Sequence, residues 1–265
     1  MRALPTVLSL LIAASTSSLA SAQSVSLPTQ SPKYIEFSKE LAQPSTVVVV
    51  GRLGKWKEGK RERLADGQLG GAGAVSAVSG TQFFKVPVTT TLQPRATFHG
   101  KVDKPTLQFE VQLARLPDGK EQRQVRTGNG AQIGEDTLAL FVLVQPPKQK
   151  GLDLVAVLPF DKGQHQGSDP EAAFVDAMRD VYTVNRRVFD LEQALAAVDG
   201  AREDKAKQVA LQALKELVDK KPELKVPSND GLLTQYAGPL EVRAQKRLAD
   251  ATKANDPPAD PGKGK

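Results

Sequence analysis

The stretch TLQFEVQLARL, residues 106–116, alternates apolar and polar side chains with a period of two residues. Successive side chains of a β-strand point to opposite faces of the sheet, so this segment has one apolar face and one polar face. The pattern therefore predicts a half-buried antiparallel strand. Its apolar positions are Leu107, Phe109, Val111 and Leu113, and its polar positions are Gln108, Glu110 and Gln112.

Two other segments are apolar at every position. They are VVVV at 47–50 and the β-branched and aliphatic run TLALFVLV at 137–144. Branching at Cβ favours a strand over a helix, and continuous apolar character indicates that both faces are covered. We therefore expect two central strands, with Gly51 permitting a bend or bulge at the end of the first.

Further strands are predicted between these segments. TQFFKVPVTT at 81–90 places Phe84, Val86 and Val88 on one face, and Pro87, which cannot donate a ladder hydrogen bond, favours an edge position. PDGK at 117–120 has the composition of a turn, and polar residues 121–127 form the return strand. With LDLVAVLPF at 152–160 there are six or seven strands and no helical crossover, which favours an antiparallel barrel or sandwich.

The pattern changes to a helical period after Ser168. Asp169 is a candidate N-cap, Pro170 suits the first helical position, and Gly200 suits the end of the helix. A second helix is expected within 202–221 and a third within 239–253. The predicted apolar stripe of the first helix is Phe174, Met178, Val181, Val188, Leu191, Leu195 and Val198, and that of the second is Val209, Ala213, Leu214 and Leu217.

The predicted fold class is α+β, a small antiparallel β-barrel followed by a C-terminal helical segment. We assign the barrel to residues 45–166 and the helical segment to 168–254. A flexible lead-in at 23–44 precedes the barrel, because residues 23–33 are rich in Ser, Pro and Gln. By composition, residues 255–265 form a disordered tail.

The first 22 residues have the composition of a secretory signal peptide. Arg2 is followed by an apolar stretch of moderate length and then by small residues ending in Ala20-Ser21-Ala22. We expect cleavage after Ala22 and export to the periplasm or the medium. The chain has no cysteine and no later segment with about 20 consecutive apolar residues. An exported chain without disulfides fits a bacterial periplasm, and no transmembrane segment is expected.

The inventory of catalytic residue types is small. The two histidines, His99 and His165, have no partner at a metal-ligand spacing, and the glycine-rich stretch 66–80 lacks the strand that precedes a nucleotide-binding loop. A net charge of +6 is too small for the basic bias of a nucleic-acid-binding protein. We therefore expect no cofactor, no metal, no nucleic acid and no enzymatic activity. An envelope hydrolase with two carboxylates far apart in sequence stays open as the alternative.

The best binding candidate is the segment KWKEGKRER, residues 55–63, which holds the only tryptophan. In one interpretation the indole is exposed among cations and binds an anionic ligand. In the other, Trp56 caps the core and the basic residues form a solvated loop. The candidate binding residues are Lys55, Trp56, Lys57, Lys60, Arg61 and Arg63.

The strand segments STVVVVGRL, FFKVPV, LQFEVQL, GEDTLALFVLV and LVAVLPF, between residues 45 and 160, resemble secreted netrin-like modules of the OB-fold type. The resemblance implies an OB-like barrel and offers no activity, because the protease-inhibiting members of that family act through an N-terminal cysteine that this chain lacks. We expect an exported, non-enzymatic binding or structural protein of the cell envelope. Its partner is an anionic ligand or an unknown envelope component. An exposed apolar stripe along Phe174, Met178 and Val181 would instead indicate that the helices hold the partner.

Overall fold

A computed structural model describes residues 34–64, 80–102, 105–125, 131–145, 152–165 and 168–255. The predicted signal peptide at 1–22, the first part of the predicted lead-in, the glycine-rich stretch up to residue 79 and the tail from residue 256 lie outside the described residues.

Eight strands form one antiparallel sheet with the order β6-β5-β4-β1-β7-β8, in which β2 and β3 also pair with β4. The sheet curls into a half-barrel, and one parallel bridge from Leu107 to Leu152 joins its two sides. The predicted antiparallel sheet is thus confirmed. The strands are β1 (Thr46–Leu53), β2 (Lys57–Glu58), β3 (Glu62–Arg63), β4 (Gln82–His99), β5 (Thr106–Arg115), β6 (Glu121–Val125), β7 (Leu138–Val144) and β8 (Asp153–Pro159).

The two central strands are covered on both faces, as their continuous apolar runs predict. In β1, Val47 and Val49 pack inside the curled sheet, whereas Val48 and Val50 pack on the opposite face. Strand β7 divides its side chains between the same two clusters. The pairing of β1 with β4 shifts register between Val50 and Gly51, so the predicted irregularity at Gly51 is confirmed.

The predicted edge position of the strand that contains Pro87 is wrong, because β4 is an internal strand. Pro87 pairs with Glu110 of β5, and its carbonyl oxygen accepts a hydrogen bond from the Gly59 amide at 2.8 Å on the other side. The nitrogen and carbonyl of a strand residue point to the same side. The missing N–H of Pro87 therefore faces the break between β2 and β3, where no ladder bond is lost.

The described part of the predicted flexible lead-in, residues 34–44, is packed, so the prediction is wrong there. Phe37 is 1% exposed and lies with Leu41 in the cluster between the sheet and the helices. The Phe37 amide donates to Oδ1 of Asn185 at 2.7 Å, and Nδ2 of Asn185 donates to the Ile35 carbonyl at 3.0 Å. An amide side chain far along the chain thus satisfies the backbone of this segment.

The helical segment begins where the sequence indicates. Oδ1 of Asp169 accepts from the Ala172 amide at 3.0 Å, which confirms the N-cap. The N-terminal half of the first helix packs on the outer face of β1 and β7, and its C-terminal half packs against the remaining helices. The helices are α1 (Pro170–Gly200), α2 (Asp204–Asp219), α3 (Asp230–Leu232), a π-helical turn (Leu233–Ala237) and α4 (Gly238–Asn255).

Packing of the helices corrects two expectations. Phe174, Met178 and Val181 are at most 1% exposed, so the alternative in which this stripe docks a partner is wrong. On α2, Leu214 is buried but Val209 is 66% exposed. The stripe that packs is rotated from the predicted one and comprises Ala210, Leu211, Leu214, Leu217 and Val218. No helix in the described part of the chain is long and apolar enough to cross a membrane.

Candidate functional site

The six predicted binding residues lie on one segment that runs along the first half of β4. Lys55 and Trp56 precede β2, Lys57 lies in β2, and Arg63 lies in β3. Lys57 pairs with Thr89, and Arg63 pairs with Phe84. We call residues 55–63 the basic segment. It is anchored to the sheet at both ends.

Within the basic segment, Trp56 points toward the core. Its ring packs edge-to-face on Phe109, with 5.4 Å between centroids and 82° between planes. The indole nitrogen is buried and has no hydrogen-bond partner among the described residues, and the backbone amide of Trp56 donates to Glu135 at 3.0 Å. This geometry favours the interpretation in which Trp56 caps the core. The indole does not present a stacking platform to a ligand.

Arg61 belongs to a cluster of four charges that links the basic segment to β6. Its guanidinium contacts Glu121 at 2.8 Å and Glu58 at 3.0 Å, and Arg123 contacts Glu58 at 2.8 Å. We call Glu58, Arg61, Glu121 and Arg123 the Arg–Glu clasp. The hydrogen bond from Arg61 lowers the pKa of Glu121 and raises the pKa of Arg61.

The Arg–Glu clasp spans the concave side of the sheet. Glu58 pairs with Val88 and Arg123 pairs with Leu113, and both of these apolar side chains point into the core. Paired residues of antiparallel strands share a face. The clasp therefore lies over apolar side chains of β4 and β5, and it holds the two edges of this part of the sheet together.

The other cations of the basic segment stay exposed. Among the residues that the structure describes, they have no acidic partner within ion-pair distance. The clasp itself contains two positive and two negative charges, so these side chains give the surface its excess of positive charge. They are Lys55, Lys57, Lys60 and Arg63.

An open cleft of about 640 Å³ lies between β4–β5 and the start of β8. It forms because β6 covers β5 only from Val111 onward, and the bridge to β8 involves only Leu107. Residues 108–110 of β5 therefore face a gap. The lining residues are Pro87, Val88, Thr89, Gln108, Phe109, Glu110, Asp153 and Leu154.

The cleft offers hydrogen-bonding groups that other described residues do not use. The side chains of Thr89, Gln108 and Asp153 form no hydrogen bond or ion pair within the described ranges. Glu110 differs, because its carboxylate is paired with Nζ of Lys85 at 2.6 Å. Since Lys57 lies beside Thr89 in register, a cation of the basic segment borders the cleft.

The arrangement of carboxylates bears on the hydrolase alternative. Glu110 and Asp153 both line the cleft, but the ion pair with Lys85 leaves Asp153 as the single uncommitted carboxylate of the lining. Most glycosidases use a pair of carboxyl groups on the two sides of the bond that is cleaved. In this cleft a cation holds one of the two carboxylates of the lining.

Both histidines lie against aromatic rings, away from the cleft lining. His99 is 6.3 Å from the ring of Tyr182, and His165 lies 5.7 and 5.2 Å from the rings of Phe160 and Phe174. Burial is the main cause that lowers the pKa of each imidazole. Across the described ranges, no three His, Cys, Asp or Glu side chains come together as a metal site.

Comparison with known proteins adds no relative, since no protein-family model, curated protein or solved structure matches this chain.

Sequence reasoning missed Glu121 and Arg123 as partners of the basic segment, and it missed the cleft. The sequence separates Arg61 from Glu121 by 60 positions, and only the curl of the sheet brings them together. One signal was available for the cleft. The polar positions Gln108 and Glu110 of the alternating strand lie on its outer face, as predicted, and they line the gap.

Proposed function

We propose that this chain is an exported, non-enzymatic binding protein of the cell envelope that takes an anionic ligand on the basic segment and the adjoining cleft. One observation carries the proposal. The basic segment carries four exposed cations without an acidic partner among the described residues, and one of them, Lys57, borders a cleft in which Thr89, Gln108 and Asp153 are uncommitted. Cations attract the ligand, and directional polar groups fix its orientation.

We further propose that the curled sheet is an OB-like barrel. The strand order supports this, because β1 lies between β4 and β7, and β5 approaches β8 through a parallel bridge. OB-folds bind ligands over their second and third strands and the neighbouring loops. In this barrel those strands are β4 and β5, and the first loop contains the basic segment.

Export to a bacterial periplasm remains part of the proposal. The composition of residues 1–22 and the absence of cysteine support it. Expression with the native N-terminus, followed by fractionation and N-terminal sequencing, tests it. We expect the exported protein to begin at Gln23. Recovery only in the cytoplasm with an intact N-terminus would contradict the proposal of export.

Calorimetric titration tests the proposed binding. Polygalacturonate, dextran sulfate and neutral dextran are added to the purified chain, and saturable binding is expected for an anionic polymer only. Neutralising the four exposed cations of the basic segment to Gln should weaken binding about tenfold, because four surface charges contribute about 0.3 kcal/mol each. The matched control neutralises four exposed cations in or next to α2, namely Arg202, Lys205, Lys207 and Lys215. Equal loss in both variants would show that binding depends on net charge alone.

A further inference from the structure

The carboxylate of Glu58 lies between two arginines of different elements. Its Oε2 is 3.0 Å from Nη2 of Arg61, and its Oε1 is 2.8 Å from Nη2 of Arg123. Each oxygen is thus engaged by a separate guanidinium. Guanidinium groups have the planar donor geometry that suits carboxylates, and charge-assisted hydrogen bonds of this kind are strong relative to neutral ones. The two arginines therefore form a receptor for one carboxylate, in which Arg61 also keeps its contact with Glu121 at 2.8 Å.

The occupant of this receptor can exchange with a ligand. The side chains of Glu58, Arg61 and Arg123 are 25%, 38% and 44% exposed, so all three reach solvent. Ion pairs at such exposure contribute little net stability, because water solvates the separated charges well. Glu58 therefore leaves the arginines at little cost in stability, whereas a single outside carboxylate also loses entropy on association. A polymer offsets that loss through its other charges, and the exposed Lys60, next to Arg61 in the chain, attracts them.

We propose that Arg61 and Arg123 are an anion-binding site that Glu58 occupies in the free protein, and that a carboxylate of an acidic polymer displaces Glu58. This inference rests on the proposed function and specifies its ligand class. The class is a carboxylate, because each of the two oxygens of Glu58 contacts a separate guanidinium. The cleft is a separate surface, since Thr89 and Gln108 lie on the opposite face of the sheet from Glu58.

The substitution Glu58→Gln tests the displacement. It removes the charge that occupies the receptor with little change in shape, so we expect polygalacturonate to bind about tenfold tighter than to the wild type, equivalent to about 1.4 kcal/mol. Glu62→Gln is the matched control. Glu62 is exposed, lies four positions away in β3 and forms no ion pair in the described part of the chain. Its substitution removes the same charge as Glu58→Gln. Glu62→Gln should tighten binding no more than about twofold, through the loss of one long-range charge repulsion alone. The double variant Arg61→Gln, Arg123→Gln should bind more weakly than the wild type.

The outcomes separate the inference from the proposed function. Equal gains in Glu58→Gln and Glu62→Gln would overturn the two-arginine site and leave the proposed function intact. No saturable binding by any variant would overturn both. Titrations with dextran sulfate and poly-L-glutamate distinguish the chemistry. A larger gain for sulfate would refute the carboxylate, whereas gains of similar size are expected for polygalacturonate and poly-L-glutamate, because both present carboxylates.

A measurement on the wild-type chain tests the proposal even if one of the variants does not fold. The Nε–H resonances of Arg61 and Arg123 are followed by NMR while polygalacturonate is added. Displacement of Glu58 predicts saturable shifts of both signals, whereas Arg186, which pairs with Asp190 on α1 at 2.8 Å, should not respond. Unchanged signals from both clasp arginines at saturating polymer would refute the proposal.

Discussion

Asp180 gives the sharpest test of what holds the helical segment together. The side chain lies on α1, is 1% exposed, and accepts three hydrogen bonds from the connection between α2 and α3. The amides of Lys225 and Val226 donate at 2.8 Å, and Nδ2 of Asn229 donates at 3.0 Å. These bonds fix a non-helical segment that carries few apolar side chains of its own. We therefore predict that Asp180→Asn destabilises the protein strongly.

The expected loss follows from counting donors. Asparagine keeps one acceptor oxygen, which at the position of Oδ2 still accepts from Val226 and Asn229, whereas its NH2 group faces the Lys225 amide, so one of the three bonds is lost. Hydrogen bonds to a charged group contribute roughly 1.5–3 kcal/mol each, and the two remaining bonds lose the charge of their acceptor. Removal of a buried carboxylate recovers part of its desolvation cost. We expect the free energy of unfolding to fall by about 2–3 kcal/mol, a large share of the roughly 5–15 kcal/mol typical of a domain.

Urea titrations with two probes measure this loss. Far-ultraviolet circular dichroism reports mainly on the helices, and the fluorescence of Trp56 reports on the sheet. Asp176→Asn is the control, since Asp176 lies on the same helix, is 49% exposed and pairs with Arg179 at 3.5 Å. It should change stability by less than about 0.5 kcal/mol. If Asp180→Asn stays within about 1 kcal/mol of the wild type by both probes, the three hydrogen bonds do not stabilise the fold as argued.

Three further predictions concern the sheet and its turns. The fluorescence of Trp56 should have its maximum at short wavelength and resist quenching by iodide, because the ring packs on Phe109. The substitution Phe109→Ala should shift that emission to the red. A wild-type indole that iodide quenches freely would contradict the packing. Gly100→Ala should lower the melting temperature more than Gly119→Ala does. Both glycines have positive φ, +70° for Gly100 and +81° for Gly119, but only a Cβ at Gly100 collides with the backbone of β1. Equal melting temperatures of the two variants would refute this prediction. The pKa of His99, measured by NMR, should lie below the ordinary 6.5, because burial and Arg186 disfavour its charged form. The free energy of unfolding should then fall as the pH drops below 6.5 toward that pKa, and His99→Gln should remove the part of this dependence that is due to His99 and leave the part that is due to His165.

Local patterns predicted the elements of this fold well. The alternation along β5 and the continuous apolar runs of β1 and β7 correctly predict which faces are buried, because apolar side chains stand on the buried faces of a strand and polar side chains on its exposed face. The cap at Asp169 and the turn at Gly119 depend on neighbours a few residues away and are also correct. Identifying a barrel of the OB type depends on how strands close across the sheet, which periodicity does not encode.

The errors arise where partners are distant in sequence. Phe37 is assigned to a flexible lead-in that is inferred from the Ser-, Pro- and Gln-rich composition of residues 23–33, yet Asn185, 148 positions away, holds its amide. Pro87 is assigned to an edge because proline lacks a donor, yet the break between β2 and β3 removes the need for one. For the candidate site, the sequence identifies the basic segment but not Glu121, which neutralises Arg61 from across the sheet.

The fold itself indicates where a binding surface can lie. Strands β1 and β7 are covered on one side by the interior and on the other by α1, so they present no face to a ligand. Within the described part of the chain, no helix covers the outer face of the half of β4 that pairs with β5, and residues such as Pro87, Gln108 and Glu110 there are exposed. Strands β1 and β7 are thus buried on both faces, whereas β4 and β5 bury one face in the core and carry polar side chains on the other. Because the two sets of residues hardly overlap, the charges of the basic segment can vary without disturbing the core, as a ligand-binding surface on a rigid scaffold requires.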